Sequence, residues 1–168
     1  EMLEGIHDDD AAAARPLRFP VQLVSRPGAA NEARGYMGRI NSGTVSPGSE
    51  VKILPSGRAT MVTGIAAIDG AQSVAVAGDS VTLLLRDEFD ISRGDMLADA
   101  AHPPRVAKTL NALICWFSAE PLRPSGPYLL KHTTRTVKAR VSAVNYRVDI
   151  HTLAREAALA AVEVDDAQ

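Results

Sequence analysis

The chain has 168 residues with eighteen basic and twenty acidic side chains, a formal net charge of −2, and is 46% hydrophobic but only 4% aromatic. That length suits one ordinary domain or two small ones around packed cores, and near-neutrality removes any global field towards nucleic acid or anionic membrane. So few aromatics argue against base-stacking and sugar-stacking platforms. The single cysteine, Cys115, excludes an internal disulfide and fits a reducing cytoplasm. It stands in the apolar run Leu113–Phe117 and is expected to be a buried small hydrophobe. No apolar run is long enough to cross a bilayer and no signal-peptide pattern occurs, so a soluble protein is expected.

Residues 1–14 read as a tail and linker. Met2, Leu3 and Ile6 could finish an amphipathic helix weakened by Gly5, and Asp8 to Ala14 follow as a solvated connection. From residue 17 to residue 99 the chain alternates. Val21 and Leu23 mark a first strand that exits at Arg26-Pro27-Gly28. In Arg34 to Arg58, Tyr36, Gly38 and Ile40 share one parity and Arg39 and Asn41 the other, the period of a half-buried strand. Pro47-Gly48 presets a turn, and Val51 and Ile53 alternate with Glu50 and Lys52 in a strand expected to return as a hairpin. Glycines at 35, 38 and 43 inside or beside the strand point to the corners of a small barrel. Ala59 to Ile68 is a further strand ended by Asp69-Gly70, Val81 to Leu85 is an apolar run suited to a fully buried strand, and Met96-Leu97 close the set. Short strands with regular turns and no crossover helix favour a closed antiparallel barrel.

Residues 100–104, with Pro103-Pro104, form a stiff linker. In residues 105–168, Val106 to Phe117 is a long strand candidate, Pro121 to Pro127 a loop, and Tyr128 to Thr134 another strand. Between Thr136 and Asp149 the apolar parity changes after Ala143, which predicts a bulge or bend at Ala143-Val144. The alanine-rich stretch Thr152 to Ala161 reads as a short helix.

The glycine-spaced stretch resembles the second domain of the translation-factor GTPases related to elongation factor Tu. More narrowly, Phe19-Pro20-Val21-Gln22, Arg26-Pro27, Arg34-Gly35-Tyr36-Met37-Gly38, Leu54-Pro55-Ser56-Gly57-Arg58 and Asp90-Ile91-Ser92-Arg93-Gly94-Asp95, in that order, look like the large, GTP-binding subunit of bacterial sulfate adenylyltransferase. Lys131 to Val137 with Tyr146 to Asp149 is similar to its third domain, closest to versions in which an adenylylsulfate kinase follows. The resemblance implies an all-β chain of two small antiparallel barrels, the second incomplete. Residues 1–14 would close a GTPase domain, 15–99 form the second domain and 105–168 part of the third. It implies a cytoplasmic large subunit that couples GTP hydrolysis to adenylylsulfate synthesis in sulfate assimilation and cysteine biosynthesis. Its partners would be a small catalytic subunit and its own GTPase domain, with GTP and Mg²⁺ held by that absent domain.

Catalytic patterns are missing from the chain itself. It has no G-x-x-x-x-G-K-[ST] phosphate cradle and no Asn-Lys-x-Asp motif, and the histidines at 7, 102, 132 and 151 are scattered. Ser56 reads as a turn residue, and Asp87, Glu88 and Asp90 beside Arg93 and Asp95 as a solvated loop with an internal ion pair. No catalytic, cofactor-binding or metal-binding residue is assigned, and the chain alone is expected neither to bind GTP nor to make adenylylsulfate. The positive feature is a run of cations at Lys131, Arg135, Lys138, Arg140, Arg147 and Arg155 against Asp149. Lys131, Arg135, Lys138, Arg140 and Arg147 are the candidate docking residues for an acidic partner, with nucleic acid the weaker choice and no membrane role. The alternatives are a translation-factor domain that binds aminoacyl-tRNA and a free-standing assembly module.

Overall fold

The computed structural model describes residues 10–25, 34–123, 126–149 and 151–160. The expected N-terminal helix at Met2–Ile6 and the strand exit at Arg26-Pro27-Gly28 lie outside them. The described residues fall into two compact units. One runs to Val106 and takes in Thr133–Arg135, and the other holds Ala107–His132 and the residues from Thr136 onwards.

In the first unit a single helical turn, α1 (Asp10–Ala13), leads into strands β1 (Arg18–Ser25), β2 (Gly35–Arg39), β3 (Thr44–Val45), β4 (Glu50–Leu54), β5 (Ala59–Ala67), β6 (Gly70–Gln72), β7 (Ala75–Val76), β8 (Ser80–Leu85) and β9 (Met96–Asp99). Every described pairing between these strands is antiparallel. The sheet order β4-β9-β1-β2-β8-β5-β6 has an extra pairing between β4 and β5, which closes six strands into a ring. Strand β5 is long enough to pair with β4 through Ala59–Met61 and with β6 through Ile65–Ala67. A closed ring satisfies its own backbone groups, which an open sheet does not.

Period-2 patterning fills the ring. Tyr36, Gly38 and Ile40 point inwards while Met37, Arg39 and Asn41 face solvent. Phe19, Val21, Val51, Val62, Leu83 and Leu97 are fully buried, each contributing about 1.5–3 kcal/mol by leaving water. Gly38 is required here by space: a Cβ on it would stand 2.5 Å from the Pro20 carbonyl oxygen and 3.0 Å from the Phe19 ring.

Three expectations change in this unit. The glycine-rich stretch is not a hairpin, because β2 pairs with β1 and β8 whereas β4 pairs with β5 and β9. The turn at Ser46–Ser49 does form, with Gly48 at φ 94°, but it joins β4 to the short β3, which pairs with β7. The run Val81 to Leu85 is half-buried rather than buried throughout: Thr82 and Leu84 lie on the outer wall, where Leu84 packs over Gly64. The stretch after Asp10 is no free linker either, since the Gly43 N–H donates to the Ala12 carbonyl at 2.8 Å.

The second unit contains β10 (Pro127–His132), β11 (Arg135–Arg140, whose first residue groups with the first unit), β12 (Val144–Val148) and β13 (Arg155–Ala160). They form two separate hairpins, β10-β11 and β12-β13, and no ring closes among the described residues. The parity change predicted at Ala143-Val144 falls where β11 has ended and β12 begins, with Val141 buried in the break. Residues 106–117 are not a strand. They run irregularly with Leu113, Ile114, Trp116 and Phe117 exposed, and Cys115 is exposed rather than buried. Apolar, β-prone residues make a strand only when a neighbour accepts their backbone hydrogen bonds. Conversely, the alanine-rich segment expected as a helix is β13, because pairing with β12 through Val148↔Arg155 and Tyr146↔Ala157 outweighs alanine's modest helix preference. Trp116 and Tyr128 meet edge to face at 5.2 Å. Trp116 Nε1 donates to the Glu120 carbonyl and Tyr128 Oη to the Arg123 carbonyl.

Candidate functional site

Hairpin β10-β11 carries four of the five candidate docking residues. Along β11 the pattern places Thr136, Lys138 and Arg140 outside, against half-buried Val137 and buried Ala139. Lys138 and Arg140 therefore project from one face, two residues apart, as the alternation in the sequence requires. Lys131 is exposed near the end of β10, and Arg135 is exposed where β11 begins after the Thr133-Thr134 turn. Thr133 adopts φ 52°, the left-handed conformation that a two-residue turn uses to match strand twist. Arg135 groups with the first unit, whereas Lys131, Lys138 and Arg140, like Arg147, belong to the second.

Arg147 lies on the other hairpin, on β12, where it stands opposite Glu156 in register. Arg155 places its guanidinium 4.7 Å above the Tyr146 ring, an attraction of about 0.5–1 kcal/mol at an exposed site. The five residues thus divide between two sheets rather than forming one strip. Asp149 is engaged locally. It accepts the N–H groups of His151 and Thr152 and the Thr152 hydroxyl, at 2.7–3.0 Å. The Thr152 and His151 backbone bonds hold its carboxyl below the usual aspartate value, ahead of the Thr152 hydroxyl and the charge of Arg147. Asp149 is thus committed to the β12–β13 loop.

The remaining polar candidates have structural roles. Ser56 Oγ donates to the Ile53 carbonyl at 3.3 Å, as a turn residue does. Asp87 accepts from the Thr60 hydroxyl at 2.8 Å and pairs with Arg86 at 3.4 Å. The ion pair of the acidic loop is therefore made by Arg86, not Arg93, which reaches instead to the Gln22 carbonyl. Among the described residues no group of three or more histidine, cysteine or acidic side chains converges to hold a metal ion, and no helix is long and apolar enough to cross a membrane. Tyr36, which the strand pattern had marked only as core, has its hydroxyl on the Phe89 carbonyl at 3.3 Å. Burial pushes its pKa above the ordinary tyrosine value, opposed by Arg34 and reinforced by Glu88 and Asp90.

The two units match two domain families: elongation factor Tu domain 2 over residues 36–98, and the GTP-eEF1A C-terminal domain-like family over residues 109–167. Among curated proteins, the chain is 46% identical to the bifunctional enzyme NodQ of Rhizobium sp. (strain BR816), over 94% of this chain and 25% of the relative. It is 41% identical to sulfate adenylyltransferase subunit 1 of Laribacter hongkongensis, over 94% of this chain and 33% of the relative. The chain therefore spans a quarter to a third of the length of these relatives. Among solved structures it is similar to translation elongation factor SelB from Methanococcus maripaludis in its apo form. The TM-score is 0.75 at 19% identity, covering 99% of this chain and 37% of that one, a likeness of fold.

Proposed function

The chain belongs to the sulfate adenylyltransferase large-subunit family of the translation-factor GTPase superfamily, and from that premise we propose that it is a barrel region of such a subunit that docks a partner without making bonds itself. In this reading the whole cytoplasmic enzyme transfers the adenylyl group of ATP to sulfate and releases pyrophosphate. The mixed anhydride formed is high in energy, so coupling to GTP hydrolysis drives it. GTP and Mg²⁺ belong to residues outside this chain, and ATP and sulfate to a small catalytic subunit. The barrels are moved and docked as nucleotide state changes.

One observation carries the docking role. Lys138 and Arg140 stand exposed on one face of β11 while Asp149 is committed to its own loop. Among the described residues no carboxylate pairs with Lys138 or Arg140, and such a cationic face fits an acidic protein surface, while the scarcity of aromatics disfavours nucleic acid. The test is calorimetric titration of the chain with the small catalytic subunit and, separately, with GTP. Binding to the subunit that weakens at least about tenfold in the K138E/R140E double variant, and falls with added salt, is the expected result. Saturable GTP binding, undiminished subunit binding by the double variant, or preferential retention of charged tRNA would each overturn the reading.

A further inference from the structure

The chain enters the first barrel through residues 10–17 and leaves it after β9, and these two segments are tied to each other rather than only to the wall between them. The incoming segment is seated on the β2–β3 connection. Gly43 N–H donates to the Ala12 carbonyl at 2.8 Å, Ser42 Oγ to the Pro16 carbonyl at 2.8 Å, and Arg18 N–H to the Ser42 carbonyl at 2.9 Å. The outgoing segment turns on Asp99. The Asp99 side chain accepts the Ala101 N–H at 2.9 Å and stands 3.1 Å from His102 Nδ1, while the Asp99 N–H donates to the Leu17 carbonyl at 3.1 Å. Across this junction lies Arg18. Its Nη1 donates to the Leu17 carbonyl at 2.7 Å and its Nη2 to the His102 carbonyl at 2.9 Å. The contact to His102 spans 84 positions of sequence.

We propose that Arg18 is a positioning clamp that fixes the barrel's incoming and outgoing segments to each other at the rim of the ring, and so holds residues 99–102 in place. Three features support this. The guanidinium is a rigid fork whose two arms take one carbonyl from each segment, a geometry that an ammonium cannot reproduce. Its base is immobile, because the Arg18 backbone is bonded on both sides, to Ser42 and to Asn41, and its Cα is in register with Ala98 of β9. The segments also flank one cleft of about 450 Å³ lined by Ala13, Arg15, Leu17, Glu50, Asp99 and Ala101, so relative movement would have room to occur if they were not clamped. This inference goes beyond the docking of Lys138 and Arg140 and is tested without any partner.

The experiment is amide hydrogen exchange on the whole chain, read at Asp99, Ala100 and Ala101 and, as an internal control, along β8. In Arg18→Ala the three outgoing amides are expected to exchange about tenfold faster or more, the scale of a lost charge-assisted hydrogen bond, while β8 stays at the wild-type rate. Arg18→Lys keeps the charge and most of the side chain, and its outgoing amides are expected to exchange faster than wild type. Unchanged exchange at residues 99–101 in either variant, or acceleration shared equally with β8, would overturn the clamp. Should the alanine variant fail to fold, the lysine variant alone decides.

Discussion

Gly43 lies so close to Leu17 that a Cβ on it would stand 2.5 Å from both the Leu17 nitrogen and the Leu17 Cα, and 2.8 Å from the Arg15 carbonyl oxygen. All three obstacles are backbone, so no side-chain rotation relieves them. Gly43 also adopts φ 84°, which an L side chain rarely tolerates. Gly43→Ala is therefore expected to destabilise the first barrel by about 3 kcal/mol, combining left-handed strain with the overlap. Thermal denaturation should show a fall in Tm on the order of 10 °C. A change of less than a degree would mean that the incoming segment simply moves aside.

Tyr36 gives the first barrel an alkaline limit. Its folded-state pKa is raised by burial, so the native state keeps the phenolic proton at a pH where the unfolded chain has lost it. Its contribution is complete below the ordinary value of 10.0 and is lost as pH rises through the raised one. Tyr36→Phe should cost about 1 kcal/mol at neutral pH through the lost bond to Phe89. The variant's urea midpoint should then decline less steeply than wild type above pH 10. Parallel curves would assign the alkaline limb to other groups.

Asp99 acts at the opposite end of the scale. The Ala101 N–H, followed by the His102 side chain, holds its carboxyl below the ordinary value. A depressed carboxylate pKa contributes stability above the unfolded value, near 3.8, which is lost as pH falls through the folded one. Asp99→Asn should leave a flatter acid limb below about pH 4, measured as Tm at successive pH values. It should also loosen the outgoing segment, seen as faster proteolysis between Asp99 and Arg105.

Leu153 sits at φ 57° with its side chain 75% exposed, while its N–H donates to the Asp149 carbonyl. A leucine there bears left-handed strain and buries little in return. Leu153→Gly is expected to stabilise hairpin β12-β13 by roughly 0.5–1 kcal/mol, the strain relieved less the entropy of a freer unfolded chain. Slower amide exchange along β12 would register the gain, and faster exchange would refute it.

The first barrel was legible because its rules are local. Alternation at Tyr36, Gly38 and Ile40, the Pro47-Gly48 turn and the Asp69-Gly70 turn each act within a few residues. Which strand pairs with which was not legible: β2 and β4 are close in sequence yet bond to different neighbours, because ring closure chooses partners by geometry. Residues 106–117 and Arg155–Ala160 misled in opposite directions for one reason, since a strand is made by its partner more than by its own composition. The exposure of Lys138 and Arg140 followed from parity alone. Arg18 gave no signal, because nothing in a sequence marks an arginine whose acceptors are carbonyls, one of them 84 positions away.

Ring closure through β4 and β5 also decides where this chain is sticky. Among the described residues, the six ring strands present no row of unmatched amides to a stranger, whereas each two-stranded sheet among Pro127–Ala160 has two outer rims. At high concentration, clumping should therefore begin at those rims and propagate strand upon strand, with the first barrel carried along as intact cargo.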